Sequence, residues 1–392
     1  MTDDFKPETR LVHAGRVPSE HHGAVNPAIY RASTILQPNL EAWEESRKPG
    51  FAGYRYGVVG TPTTRAFETA MAELYRVDQC VAVSSGLASV TTALLALTKA
   101  GDHILVTDSA YEPTRKFCDR VLKRYGVAVE YYDPRIGAGI AGLLRPETRL
   151  VFTESPGSLS FEIQDIPAIA AAAHAKGVLV MMDNTWASAL LFKPFEQGVD
   201  VVVEAATKYV AGHADVLMGV MLAKGNRGQE LRNTANTLGN CCGPEELYLA
   251  QRGLRSMAVR LERCAATAML LADWLAARPE VKYVLHPARP DHPDHALWRR
   301  DFTGANGLFA MVLQPLPKPA LSAFFDGLRL FGIGASWGGY ESLIMPTNPG
   351  TVRTAVAWTE TGPLIRLHTG LEDPGDLIAD LTAGFERMAA AG

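Results

Sequence analysis

Cysteine is scarce in this 392-residue chain. There are five, Cys80, Cys118, Cys241, Cys242 and Cys264, an odd number with no CxxC spacing. The expectation is no disulfide framework and no thiolate zinc site, and a reducing compartment fits. An excess of one charge is also lacking: 38 Lys and Arg face 42 Asp and Glu, a formal net charge of −4. That argues against a dedicated nucleic-acid or anionic-membrane surface. The start, Met-Thr-Asp-Asp-Phe-Lys, is acidic rather than basic then apolar. It reads as no signal peptide, so a cytoplasmic location is expected. One uncharged run, residues 79–98, has the length of a bilayer span, but it holds Gln79, six Ser/Thr residues and Gly86. Its first part reads as a buried strand and its second as a helical stripe, which excludes a membrane span. The helix start after Val81-Ala82-Val83 lacks GxGxxG and GxxxxGK[ST], so no dinucleotide or P-loop site is indicated there, and Ser155 in Glu154-Ser155-Pro156-Gly157 is in no G-x-S-x-G, so it does not read as a nucleophilic serine.

What is present is ordinary globular composition, 47% hydrophobic and 20% charged, in a chain long enough for two domains. Residues 1–60 read as an extended arm with one short helix from Leu40 to Arg47, packing on a neighbouring subunit. Residues 61–254 alternate helices with short Val-rich strands apolar on both faces, the signature of a mostly parallel sheet covered by helices on both sides. Residues 255–392 begin with a long helix and read as a smaller α+β domain. The fold class is therefore α/β, a large mostly parallel sheet domain plus a smaller C-terminal α+β domain.

Ligands of open parallel sheets bind at the carboxyl ends of strands. After Val81-Ala82-Val83 comes Ser84-Ser85-Gly86-Leu87, a helix start that is either a phosphate seat or an ordinary cap. After the strand ending at Met182 comes Asp183, an acid facing the crevice or a turn aspartate. After Val201-Val202-Val203 come Glu204 and, four residues on, Lys208. A desolvated lysine there becomes a nucleophilic amine; alternatively it reaches solvent at the sheet rim. Tyr111 follows the strand at Thr107 and is either a ring-stacking group or a surface tyrosine. A phosphate seat, an acid, a lysine and an aromatic in one crevice suit pyridoxal 5′-phosphate (PLP).

The ordered blocks Ala110-Tyr111-Glu112-Pro113, Glu154-Ser155-Pro156-Gly157, Asp183-Asn184-Thr185-Trp186, Ala206-Thr207-Lys208-Tyr209, Ser336-Trp337-Gly338-Gly339 and Leu364-Ile365-Arg366-Leu367-His368 carry a resemblance. With them the chain resembles, over nearly its whole length, the Cys/Met-metabolism PLP-dependent enzymes of the aspartate-aminotransferase-like fold (fold type I). Within that family it is most similar to the cystathionine β-lyases. The resemblance implies Lys208 as Schiff-base lysine, Asp183 as partner of the pyridine nitrogen and Tyr111 as the stacked ring. It implies Ser85, Gly86, Leu87 and Thr207 around the phosphate, and Tyr56 reaching the phosphate or substrate of a neighbouring subunit. Arg366 would grip the substrate carboxylate, with Ser336 and Trp337 lining that end. From the sequence alone Arg366 reads equally as a strand arginine paired with an acid. The activity implied is carbon–sulfur β-elimination from a sulfur amino acid in methionine biosynthesis, with Lys208 or Tyr111 protonating the leaving sulfur. The assembly implied is a dimer with shared active sites, doubled into a tetramer, and no metal is expected.

Three positions depart from the family pattern. Val58 stands where an arginine normally helps bind the phosphate across the subunit boundary, with Arg55 or Arg65 as replacements. Ala335 replaces an aromatic before Ser-Trp-Gly-Gly. Lys116 stands where related lyases carry an acid. These widen the expected substrates to other cysteine S-conjugates or γ-cleavage, and leave a non-catalytic PLP-binding protein as the reading from another class.

Overall fold

The computed structural model describes residues 5–48 and 50–392. Seven strands come first: β1 (Gln79–Val83), β2 (His103–Thr107), β3 (Ala128–Tyr132), β4 (Thr148–Glu154), β5 (Leu179–Asp183), β6 (Val201–Glu204) and β7 (Gly219–Ala223). They form one sheet in the order β1-β7-β6-β5-β4-β2-β3. The pairs β2–β3, β2–β4, β4–β5 and β5–β6 are parallel; β7 lies antiparallel to both β1 and β6. Every residue of β2, β6 and β7 is buried. The apolar runs within them, Ile104 to Val106, Val201 to Val203 and Val220 to Ala223, are what a sheet covered on both faces requires.

Five more strands follow: β8 (Val281–Leu285), β9 (Leu308–Leu313), β10 (Gly332–Ile333), β11 (Leu343–Thr347) and β12 (Leu364–His368). They form a second sheet in the order β10-β11-β12-β9-β8. The helices Met257–Ala276, Lys318–Asp326 and Pro374–Ala390 cover one face of it through Ala268, Leu271, Phe324, Leu381 and Phe385. The core is continuous: one apolar cluster joins Val180 and Val202 of the first sheet to Leu308, Ala310 and Leu364 of the second.

The sequence pattern predicts one helix from Pro113 to Tyr125, and the structure corrects it. It runs as α-helix only over Glu112–Phe117, widens to a π-turn over Cys118–Leu122, and closes in a 3-10 turn at Lys123–Tyr125. Cys118 and Leu122, four residues apart, both lie in the core.

One buried polar clamp ties the second half of the chain to the loop that carries Tyr111. The Asp108 carboxylate, at the end of β2, accepts from the backbone N–H groups of Thr354 (3.0 Å), Ala355 (3.0 Å) and Val356 (2.9 Å), and from Arg115 (2.8 Å). Beside it Arg353 and Glu162 form a buried ion pair. Burial raises the proton affinity of Asp108, but these donors outweigh it and hold the carboxyl below its usual range. Its stabilising effect is therefore present above about pH 4 and lost as pH falls through its lowered folded value. Asp108→Ala leaves three amides unpaired. We expect it to destabilise by about 3 kcal/mol and to speed proteolysis between residues 349 and 360, read by limited digestion.

Candidate active site

The carboxyl ends of β1, β2, β4, β5 and β6 meet in one crevice. Lys208 sits four residues past β6, its backbone N–H bonded to the Ala205 carbonyl (3.0 Å) and its carbonyl to Gly212 N–H (2.8 Å). Its side chain does not reach for solvent: Nζ donates to Ser336 Oγ at 2.7 Å and lies 5.4 Å from the Trp337 ring centroid. Burial, followed by the Arg366 charge, lowers its proton affinity to about 8 against a partial counter-effect of Asp183. That is a nucleophilic, proton-accepting amine near neutral pH.

Asp183 is both things the sequence left open. Oδ1 closes a turn by accepting from Thr185 N–H (2.9 Å) and Thr185 Oγ1 (2.5 Å). The Thr185 hydroxyl in turn accepts from Ala205 N–H (2.9 Å), which locks the β5 turn to the approach to Lys208. Oδ2 makes no hydrogen bond among the described residues, so one oxygen remains for a ring N–H.

Ser85 is a cap, and the helix end it starts leaves room for the seat reading. It caps the helix Gly86–Leu97, accepting from Ala88 N–H at 3.0 Å. The N–H groups of Gly86 and Leu87 precede any intrahelical acceptor and mark the positive helix end. A Cβ at Gly86 would stand 2.5 Å from Ala205 Cβ, so only glycine lets this helix end approach the turn before Lys208. The Thr207 hydroxyl is spent differently from expectation. It donates to the Met218 carbonyl (3.2 Å) and accepts from Met218 N–H (2.9 Å), so any donation to a phosphate redirects that proton.

Tyr111 is exposed at the crevice mouth; its backbone N–H is held by Glu154 Oε2 at 2.8 Å. Glu154 ends β4 in register with Asp183. Arg366, on β12, is 8% exposed, and its guanidinium meets only the Ser336 carbonyl (3.4 Å) and Met345 Sδ (3.0 Å). No acid pairs with it among the described residues, which removes the reading of a strand arginine in a structural ion pair. A buried cation without an anion suits an anionic ligand. The free Asp183 oxygen, the open helix end, the desolvated lysine and the unpaired arginine together fit PLP and an amino-acid carboxylate.

Tyr56 is not brought to this crevice within one chain. It lines a separate cleft of about 230 Å³ with Tyr30, Val58, Cys241 and Cys242. Arg55 bonds the Ser46 carbonyl, and Arg65 bonds the Ala52 carbonyl and lies over the Tyr54 ring, so both are engaged within the arm. Lys116 pairs with Glu112 on the exposed face of its helix at 2.6 Å, and Ala335 is exposed. His213 bonds the Ala211 carbonyl at 2.7 Å.

Two residues of the site escaped the sequence reading. Gly338 has φ +83°, and a Cβ there would stand 2.9 Å from Lys208 C and Tyr209 N. His368 Nε2 accepts Gly338 N–H at 3.1 Å and anchors the same loop from below. The Gly-Gly pair was the available signal. Gly338→Ala combines a left-handed backbone with a clash against backbone that cannot yield. We expect a loss of about 2–4 kcal/mol in stability and weaker PLP retention, measured by thermal melting and by dialysis.

A model of the Cys/Met metabolism PLP-dependent enzymes matches residues 8–386. Cystathionine beta-lyase MetC of Escherichia coli strain K12 is 42% identical, covering 98% of this chain and 99% of the relative. An L-alanine/L-glutamate racemase of Wolbachia pipientis wMel is 40% identical over 98% of each. Among solved structures, cystathionine gamma synthase from Xanthomonas oryzae pv. oryzae superposes with TM-score 0.91 at 31% identity, covering 99% of this chain and 100% of that one. The crevice geometry and these likenesses agree, and the chain belongs to the Cys/Met metabolism PLP-dependent enzyme family.

Proposed function

We propose that this protein is a carbon–sulfur β-lyase that cleaves L-cystathionine to homocysteine, pyruvate and ammonia. The observation that carries the reading is one pocket holding a desolvated lysine amine and, across Ser336, a buried arginine without an acid. Lys208 would hold the carbonyl end of PLP, Asp183 its ring nitrogen, and the helix end at Ser85-Gly86-Leu87 with Thr207 its phosphate. Bound there, PLP supplies an electron sink next to the substrate Cα.

The chain's own residues do the rest. Arg366 binds the substrate carboxylate and fixes the Cα–H bond relative to Lys208. Lys208 Nζ, half neutral near pH 8, takes the Cα proton, and Ser336 Oγ orients that amine. The leaving sulfur takes a proton from Lys208 or from Tyr111 at the crevice mouth. Asp183 remains the counter-charge at the ring nitrogen; burial raises its proton affinity, and Thr185 and Lys208 oppose the rise.

We further propose a cytoplasmic enzyme working as a dimer with Tyr56 acting across the boundary, doubled into a tetramer. Leu36, Leu40, Trp43 and Tyr56 leave large apolar side chains of the arm exposed in the single chain, which supports a covered arm. Mixing Lys208→Ala with Tyr56→Ala subunits should restore activity that neither variant has alone.

Product analysis after adding L-cystathionine tests the function. Pyruvate with homocysteine is the expected result. 2-Oxobutyrate with cysteine means γ-cleavage and overturns the β-lyase reading. Small, exposed Ala335 favours a second substrate class. Pyruvate from S-alkyl or S-aryl cysteines, with cystathionine untouched, would establish that class instead. Racemisation of alanine without pyruvate would place the protein with its racemase relative, and a bound cofactor with no turnover would leave a binding protein.

A further inference from the structure

We propose that Glu204 is a positioning residue for the acid–lysine pair, its carboxyl fixing the turn that carries Asp183 against the turn that leads to Lys208. The inference rests on the PLP site above and not on the identity of the substrate. Glu204 ends β6 and is 2% exposed. Among the described residues no Lys, Arg or His stands within ion-pair distance of it. Its hydrogen bond comes from the Tyr75 hydroxyl at 2.5 Å. That hydroxyl accepts from Asn184 Nδ2 at 3.1 Å, and Asn184 directly follows Asp183. Asn184 also donates to the Ser188 carbonyl (2.8 Å) and, through its backbone, to Val203 (3.0 Å).

Asp183 pairs with Val203 in the sheet, so the side chain of Glu204, one residue on, projects from the opposite face. The chain Glu204–Tyr75–Asn184 thus braces from beneath the two turns that Thr185 and Ala205 join from above. Tyr75 of the helix Pro62–Tyr75 stands edge-on to Phe195 in the apolar core, so the brace is dry.

A buried carboxyl with no cation is neutral at physiological pH. The groups facing Glu204 are Tyr75 from the helix, whose hydroxyl donor favours the ionised form, Asp183 from β5, whose charge opposes it, and the buried thiol of Cys80 from β1; from β7 the facing residue is Val220. Burial outweighs the Tyr75 hydrogen bond and, with Asp183 adding to it, raises the carboxyl to about 8. A raised folded value means the folded state holds a proton that the unfolded chain releases near pH 4.3. The folded state loses stability as pH rises from there to about 8, and the loss levels off above.

The test compares Glu204→Gln, Glu204→Ala and Tyr75→Phe in the PLP-loaded protein, reading melting temperature from pH 5 to 9.5 and the visible cofactor spectrum. Neither readout needs a substrate. The amide copies the neutral carboxyl, so E204Q should keep the wild-type spectrum and PLP affinity at pH 7. Its melting temperature should gain on the wild type by several degrees between pH 5 and 8, then run parallel. E204A and Y75F should each bind PLP at least about tenfold more weakly, the loss of one buried hydrogen-bond link. E204Q behaving like E204A, or a constant offset between E204Q and wild type at every pH, would overturn the proposal. So would unchanged PLP affinity in Y75F.

Discussion

Lys208→Ala should lower turnover of any substrate at least about 10⁴-fold while the protein stays folded. The figure is the upper range for a single positioned proton-transfer group, and Lys208 would also hold the cofactor. The side chain donates one hydrogen bond, to Ser336, so its removal unties nothing in the core. Melting temperature should therefore change little, and it should rise if anything, because a desolvated amine held near 8 is a cost to folding at neutral pH. The visible band of the PLP-loaded protein should shift to that of non-covalently held cofactor. Residual turnover within tenfold of wild type would remove Lys208 from its assigned role. The same lysine can be checked without cofactor. Acylation of Lys208 in the cofactor-free protein should show a midpoint near pH 8, where an ordinary lysine titrates near 10.4. A midpoint above 10 would mean that burial and Arg366 do not act on it as the geometry requires.

Arg366→Ala should cut kcat/KM by about 10²–10³-fold, most of it in KM. The guanidinium is buried and has no acid, and burial lowers its proton affinity only to about 10, so it is a full cation at neutral pH. Losing one member of a buried charge pair costs about 3–5 kcal/mol, and the substrate carboxylate would be left as the unpaired member. Arg366→Lys should recover only part of the loss, since a point charge replaces a two-pronged donor. The cofactor spectrum should stay as in wild type, because Arg366 touches the Ser336 carbonyl and Met345 rather than Asp183. An unchanged KM in R366A would show that the carboxylate binds elsewhere.

The cofactor chemistry was legible because it depends on residue types at fixed places after strands. An acid at the end of β5 and a lysine just past β6 are chemically odd there, and burial makes them reactive. The strands themselves were readable from Val-rich runs, since a sheet covered on both faces favours apolar residues on both. Strand β7 and most of the second sheet were not. Gly219–Ala223 and Val281–Leu285 are short and resemble buried helix segments, and pairing rather than periodicity makes them strands.

Glu204 shows the limit most plainly. In the sequence it is a polar end to a Val-rich strand. Its meaning depends on Tyr75, 129 positions earlier, and on Asn184. Gly338 was visible only as half of a Gly-Gly pair until its loop lay against Lys208. The reading of Pro113 to Tyr125 as one regular helix failed too: the change to a π-turn at Cys118 and a 3-10 turn at Lys123 leaves no mark in the local pattern.

By itself, then, the sequence determined the class of fold and the cofactor, and it offered the residues proposed to serve that cofactor, the lysine and acid from side-chain chemistry at strand ends and the arginine from the resemblance. The tertiary structure decided which oxygen of Asp183 is spent on a turn and what the Thr207 hydroxyl bonds. It also decided that Arg366 has no acid, and that Asp108 and Glu204 tie distant segments to the crevice. Those are facts about partners. Partners far apart in the chain are chosen by packing, which no local pattern encodes.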